Sequence, residues 1–330
     1  MKAIGFTRHG GPEVLEFHEL PDAVPEPRDL VVRVRAAGVN PVDSKVRRGM
    51  RGALRPGQTV VPGWDAAGVV ASVGRNVRRF RVGDEVWFSG DVNRPGAYAE
   101  LVAVDERIVG SKPRSLSFEE AAAMPLVAIT AWESILENLG VGEGQGAGRM
   151  ILILGGAGGV GSIAIQVARR VCGLVAVATA SRPESASFCR QMGADEVIDH
   201  GKDLAPQLAS IGRPAVEFIQ SNAPANDFVA LAAVLAPLGR INCILPAPQA
   251  DLSGLFAKRG SVHFELMFCR PAFDVEPERQ GALLDRVAEL VDRKVLLPAV
   301  TKVLDWSEFR AAHEAIDSEH TVGKIVLRLP

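Results

Sequence analysis

At 330 residues, with 47% hydrophobic and 23% charged residues, the chain is long for a single core and has an ordinary globular composition, which predicts about two domains and excludes a disordered segment. A formal charge of −2 leaves no electrostatic footprint for nucleic acid or an anionic membrane surface. "MKAIGFTRHGG" has no apolar core of signal-peptide length, no run of about 18 apolar residues occurs, and Cys172, Cys189, Cys243 and Cys269 lack any CxxC pair, so a zinc ribbon, a disulfide framework and a membrane span are excluded and a reducing cytoplasm is expected.

Up to about residue 110 the chain reads as short strands broken by Gly and Pro. In "DLVVRVRAAGV" Val32, Val34 and Ala36 alternate with Arg33 and Arg35, the pattern of a half-buried strand. "AAGVVASVG", "GDEVWF" and "AYAELVAVDE" follow at the close spacing of a small barrel or sandwich. "SLSFEEAAAMPLVAITAWESIL" then turns helical, with Ser117 as its cap and Glu119 and Glu120 in the first turn. From Met150 strands alternate with helices: a strand over 151–154, a helix over about 159–171, "LVAVATA", "PESASFCRQM", "EVIDH", "VEFIQSN", "ANDFVALAAVLA", "GRINCIL" and "SVHFELMF". Apolar strands alternating with helices predict a parallel, doubly wound sheet. The tail returns as helix, strand, helix and strand, and is expected to pack back on the first domain.

Between the strand at 151–154 and its helix lies "GGAGGVG", where Gly156, Gly158 and Gly161 make GxGxxG around Gly159 and Val160. In a strand–turn–helix context this is a dinucleotide fingerprint: a tight turn, close backbone approach to a pyrophosphate, and a helix seated near the sheet with its N-terminus on the phosphates. A Walker A loop is excluded, since no Gly-Lys-Ser/Thr follows. About twenty residues on, an acid would grip the 2′-hydroxyl of NAD. Here "ATASRPES" has Ser181 and Arg182, with no acid before Glu184; a guanidinium binds a 2′-phosphate bidentately, so NADPH is expected over NADH. His200, closing the third strand, reads either as a further contact at the adenosine end or as a surface residue. Asn222, closing the fourth, faces the ligand crevice or caps its loop.

"GGAGGVGSIAIQVAR", with "AAAMPLVAITAWESIL", "AAGVNPVDSKVRRG" and "VPGWDAAGVVASVG" upstream, resembles the medium-chain dehydrogenase/reductase superfamily. The match is best in its zinc-independent quinone-oxidoreductase branch, including bacterial proteins called zinc-type alcohol dehydrogenase-like. The resemblance covers essentially the whole chain. It implies an α/β architecture: a GroES-like, partly open β-barrel catalytic domain (1–122 and 270–330), split around a Rossmann NADPH-binding domain (123–269). It also implies substrate in the cleft between the domains and a homodimer joined through the last Rossmann strand.

Zinc-containing relatives place Cys where this chain has Asn40, His-Glu where it has Trp64-Asp65, and a third ligand near Leu126; the structural-zinc lobe is missing too, since "DVNRPGAYAE" runs straight on after "VWFSG". No metal is therefore expected. Bound zinc lowers the pKa of its water from about 15.7 to about 7, on the order of 12 kcal/mol, whereas one hydrogen-bond donor to an oxyanion supplies about 3–4 kcal/mol. Hydrogen bonds alone are poor at making an alkoxide from an unactivated alcohol, but a quinone or an α,β-unsaturated carbonyl spreads the incoming charge itself. The expected activity is zinc-independent, NADPH-dependent reduction of such acceptors. The alternatives are an enoyl-thioester reductase and an NADPH-binding protein with little turnover.

Three residues are candidates for the chemistry. The Asn40 amide is placed to donate to the acceptor carbonyl or to hold the nicotinamide ribose, or else turns the chain before Pro41. By resemblance Thr130 is expected against the nicotinamide ring, the alternative being a hydroxyl satisfied within its own helix. Tyr98, the only tyrosine, is a candidate proton donor, with solvent as the other source and packing between strands as the alternative role. Asp43 reads as a helix cap more readily than as a cofactor contact, and Trp64 as packing.

Overall fold

Two units divide the residues that the computed structural model describes, 1–222 and 227–330. The first comprises Met1–Leu126, Phe268–Lys294 and Pro298–Pro330; the second comprises Val127–Met267 and Val295–Leu297. The first unit opens with β1 (Lys2–Gly5) paired antiparallel to β2 (Glu16–Glu19), followed by β3 (Asp29–Val39), α1 (Pro41–Arg47), β4 (Asp65–Val73), β5 (Glu85–Ser89), β6 (Leu101–Asp105) and β7 (Val109–Ser111). The alternation in β3 does what it predicts: Val32, Val34 and Ala36 are buried and Arg33 and Arg35 exposed. β4 runs antiparallel beside β3 with two register shifts, while Asp29–Arg33 of β3 pairs with β6 on its other edge.

The helical stretch after residue 117 is interrupted. α2 (Phe118–Ala122) starts at Ser117, whose side chain accepts from Glu120 N–H while the Glu120 carboxylate accepts from Ser117 N–H. α3 (Pro125–Trp132) begins at a proline, which has no N–H to continue the first helix, and runs into a wider turn over 133–138. Then come β8 (Met150–Leu154), α4 (Gly159–Gln166), β9 (Val175–Thr179), α5 (Pro183–Met192), β10 (Glu196–Ile198), α6 (Leu204–Ser210), β11 (Val216–Ser221), α7 (Phe228–Val234), β12 (Leu235–Cys243), α8 (Ser253–Phe256) and β13 (Ser261–Phe264). The sheet is parallel throughout, ordered β10-β9-β8-β11-β12-β13, and its order reverses between β8 and β11. On one face Leu152, Ile219, Ile241 and Cys243 pack with Leu208, Phe228 and Leu231.

Three boundaries differ from the sequence reading. α4 ends at Gln166, and residues 167–172 continue in a wider turn that stops at Gly173, φ +77°. The strand read through "SVHFELMF" ends at Phe264, with Glu265 N–H on Cys243 O at 2.9 Å as its last bond to β12, and Met267 and Phe268 are buried past the strand end. Of the helix read from "ANDFVALAAVLA", Ala225 and Asn226 lie outside the described residues, 228–234 form α7, and Leu235 and Ala236 instead open β12.

α9 (Cys269–Phe273), α10 (Glu278–Asp292), β14 (Val300–Asp305), α11 (Phe309–Asp317) and β15 (Lys324–Arg328) complete the chain. β15 pairs antiparallel with the second half of β3, so the first unit's sheet runs β14-β15-β3-β4-β5-β7. Val295–Leu297 belongs to the second unit because Gln166 brackets Leu297, accepting from its N–H at 2.8 Å and donating to its C=O at 3.1 Å. Among the described residues, no helix is long and apolar enough to cross a membrane.

Candidate functional site

The glycines of the second unit divide by what surrounds them. A Cβ on Gly156 would lie 2.8 Å from Ala178 Cβ, and one on Gly161 would lie 2.3 Å from Gly155 O, so both are glycine because β9 and the turn press against them. Gly158 is different. Its φ of −74° suits any residue, and a Cβ there would meet only Gly155 O, at 3.5 Å. The protein's own packing does not demand a glycine at that point, which caps α4 beside Gly159 and Val160. A bare backbone at a helix N-terminus suits the approach of a phosphate, so this turn fits a dinucleotide.

Both ends of one peptide at the turn are held by side chains. Asn222 Nδ2 donates to Leu154 O at 3.0 Å, and Gly155 N–H donates to Thr179 Oγ1 at 3.1 Å. His200 Nδ1 lies 3.2 Å from the same hydroxyl. The turn thus gathers Asn222 and His200 from the sequence candidates, together with Thr179, which the reading missed. Ser181 and Arg182 are exposed at the end of β9, immediately before Pro183 opens α5. Thr130 is buried on α3 of the same unit.

The first unit holds a second constellation. Asn40, at the end of β3, precedes Pro41, the first residue of α1. The Asp43 carboxylate accepts from Asn40 N–H at 2.8 Å, Gly63 N–H at 3.2 Å and the Tyr98 hydroxyl at 3.0 Å. Asp65, at the start of β4, accepts from Leu126 N–H at 3.0 Å and Asn40 Nδ2 at 3.1 Å. Lys324, the first residue of β15, donates to Val39 O at 3.0 Å and to Asn40 Oδ1, and stands 3.4 Å from Asp65 Oδ2. An ammonium can only donate and a carboxylate only accept, so the Asn40 carboxamide is fixed with its oxygen on Lys324 and its nitrogen on Asp65.

All five side chains are buried, with Asn40 1% and Tyr98 0% exposed. Desolvation pushes Asp43 up to about 7 against the opposing pull of Asn40 N–H, Tyr98 and Lys324. Burial likewise raises Asp65 and lowers Lys324, and the attraction between them opposes both shifts. The Tyr98 phenol is raised well above its ordinary value by burial and by Asp43. In this geometry Tyr98 orders Asp43, and Asn40 is engaged at both ends of its amide. Lys324 was missed by the sequence reading, as was His313 on α11, which is wholly buried with its ring edge-on to Tyr98, centroids 5.9 Å apart.

Positions 40, 65 and 126 converge, but not as metal ligands. An amide, one carboxylate and a backbone N–H meet a fixed ammonium, whose charge would repel a divalent cation. Trp64 turns its indole to Arg94 O, 3.2 Å away. Among the described residues no three His, Cys, Asp or Glu side chains gather to hold a metal ion. This donor set does not fit zinc.

The sequence matches the alcohol dehydrogenase GroES-like domain over residues 26–114 and the zinc-binding dehydrogenase family over residues 192–327. It is 33% identical to a zinc-type alcohol dehydrogenase-like protein of Staphylococcus aureus over 343 aligned positions, covering all of both chains. The chain belongs to the medium-chain dehydrogenase/reductase superfamily. It is accordingly an oxidoreductase by family, with a GroES-like domain and a Rossmann sheet. Over 213 positions, 62% of this chain and 53% of the relative, it is 41% identical to a 2-methylene-furan-3-one reductase of Solanum lycopersicum. A solved structure of a Rhizobium etli protein described as a zinc-dependent alcohol dehydrogenase is similar at 41% identity, with TM-score 0.92 and 100% of this chain and 98% of that chain covered, and structures of two further kinds are similar at 28% identity. A quinone oxidoreductase of Pseudomonas syringae has TM-score 0.85 and 99% of both chains covered. An NAD-dependent alcohol dehydrogenase has TM-score 0.87 and all of both chains covered.

Proposed function

We propose that this protein is an NADPH-dependent reductase of quinones or α,β-unsaturated carbonyls that works without zinc. The observation that carries the reading is Lys324: a buried ammonium bound to the Asn40 amide and paired with Asp65, at the positions where relatives hold a metal. With no Lewis acid fitting there, hydride acceptance falls to substrates that delocalise the resulting charge. The likeness to the tomato enone reductase and to the quinone oxidoreductase supports acceptors of this kind, while alcohol dehydrogenases are equally similar, so the choice against them rests on Lys324.

Bound NADPH would supply the hydride. Gly158, Gly159 and Val160 would present backbone to its pyrophosphate, with Gly156 and Gly161 shaping the turn. Arg182 and Ser181 would read the 2′-phosphate, with His200 beside them and Asn222 steadying the turn. Thr130 is assigned to the nicotinamide end. Asn40 orders the catalytic unit through Lys324 and Asp65, and because Tyr98 is sealed onto Asp43, solvent supplies the proton that follows the hydride. The exposed side chains Phe264 and Leu266 at the edge strand β13 support a homodimer.

The test is NADPH oxidation with a simple quinone, an alkenal and a crotonyl thioester, alongside NADP⁺ reduction by a saturated alcohol. Turnover with the quinone or alkenal is expected. Turnover confined to the thioester would make it an enoyl-thioester reductase, and turnover confined to the alcohol would overturn the reading.

A further inference from the structure

The side chains Gln220 and Asn242 sit in the middle of a parallel sheet, wholly buried, where apolar residues are the rule. They are neighbours in register on β11 and β12, on the face opposite Ile219 and Ile241. Burying a carboxamide is costly unless each of its polar ends is paired. Here the pairing forms a directed chain. Asn138 Nδ2 donates to Asn242 Oδ1 at 2.9 Å, and Asn242 Nδ2 donates to Gln220 Oε1 at 3.0 Å and to Ser134 Oγ at 2.9 Å. Gln220 Nε2 donates to Asn222 Oδ1 at 2.8 Å, and Asn222 Nδ2 donates to Leu154 O. The last acceptor is a backbone carbonyl, which can only accept. One flipped amide would set oxygen against oxygen, so the terminal carbonyl dictates the orientation of every amide before it.

The chain ends on the peptide that begins the glycine turn. Leu154 C=O and Gly155 N–H belong to the same peptide plane, and Thr179 holds its other end from β9. Gly155 follows at φ +66°, a left-handed conformation whose peptide can rotate unless it is held. A side chain just past β11, Asn222, and one on β9, Thr179, therefore grip one plane from both sides, and that plane aims the bare N–H groups that follow it.

We infer that Gln220 and Asn242 are positioning residues for the dinucleotide: acting through Asn222, and opposed by Thr179, they lock the 154–155 peptide in the orientation that presents the glycine turn to the pyrophosphate. The inference rests on the cofactor reading above. It concerns the part shared by NADPH and NADH, whereas Arg182 concerns the 2′-phosphate alone.

The test measures NADPH and NADH dissociation constants by fluorescence, with thermal midpoints, for the wild type, Gln220→Leu, Asn222→Ala, the double variant, Thr179→Val and Arg182→Ala. Gln220→Leu and Asn222→Ala should each weaken both nucleotides about tenfold, the order of one lost hydrogen bond to an oriented group. The double variant should bind no more weakly than Asn222→Ala alone, because Gln220 acts through Asn222. Thr179→Val should also weaken both nucleotides, and Arg182→Ala only NADPH. A lower thermal midpoint with unchanged nucleotide binding, or effects of Gln220 and Asn222 that multiply, would make the amide chain merely structural and overturn the inference. A wild type that binds neither nucleotide would overturn the cofactor reading itself.

Discussion

Replacing Asp43 by Asn should expose a pH dependence that the wild-type protein conceals. The Asp43 carboxyl is raised by burial from 3.8 to about 7, so the folded state holds a proton that the unfolded chain has released. Its contribution to stability is full below pH 4 and is lost as pH rises to 7, by roughly 4 kcal/mol at about 1.4 kcal/mol per unit. His313 works in the other direction. Burial, helped by the nearby Arg47, lowers its imidazole from 6.5 to about 3, so stability falls as pH drops from 6.5 to 3, by roughly 5 kcal/mol. Between pH 4 and 6.5 the two slopes oppose each other and nearly cancel. The stability of Asp43→Asn relative to wild type should therefore climb by about 1.4 kcal/mol per pH unit from 4 to 7, and that of His313→Phe should fall by a similar slope from 3 to 6.5. Urea unfolding followed by tryptophan fluorescence reports mainly the first unit, which holds Trp64, Trp87 and Trp306 of the four tryptophans. Differences from wild type that stay constant with pH would refute the reasoning.

Lys324→Met should destabilise the protein by about 3–5 kcal/mol in the same unfolding experiment, because it leaves Asp65 buried without its cation, and adding Asp65→Leu should recover part of that loss. A loss of under about 1 kcal/mol would mean that the pair is not desolvated as described. The middle and last glycines of the fingerprint should separate binding from folding. Gly161→Ala should lower the thermal midpoint, since its methyl would sit 2.3 Å from Gly155 O, whereas Gly158→Ala should leave the midpoint within a degree or two and weaken NADPH binding.

The periodicities that bury one face of a strand or helix are local, and they carried much of the fold: β3 and α5 match the strand over 29–39 and the helix over 183–192 read from "DLVVRVRAAGV" and "PESASFCRQM". The glycine turn was legible because strand, turn and helix are contiguous. Lys324 was not, since it lies 259 residues from Asp65 and a lysine opening "KIVLR" reads as a solvated strand end. Asp65, an acid flanked by apolar residues in "VPGWDAAGVV", was the available signal that some cation must reach it. Gln220 and Asn242 left a similar trace, as polar residues inside strands that are otherwise apolar. The break between α2 and α3 was signalled by Pro125, and the early end of β13 by nothing local.

The most direct measurement is steady-state reduction of a quinone and an alkenal by NADPH, made on protein whose metal content has been determined before and after exhaustive chelation. The account predicts substoichiometric zinc and rates unchanged by chelation. A stoichiometric divalent ion whose removal abolishes turnover, and whose return restores it, would contradict it.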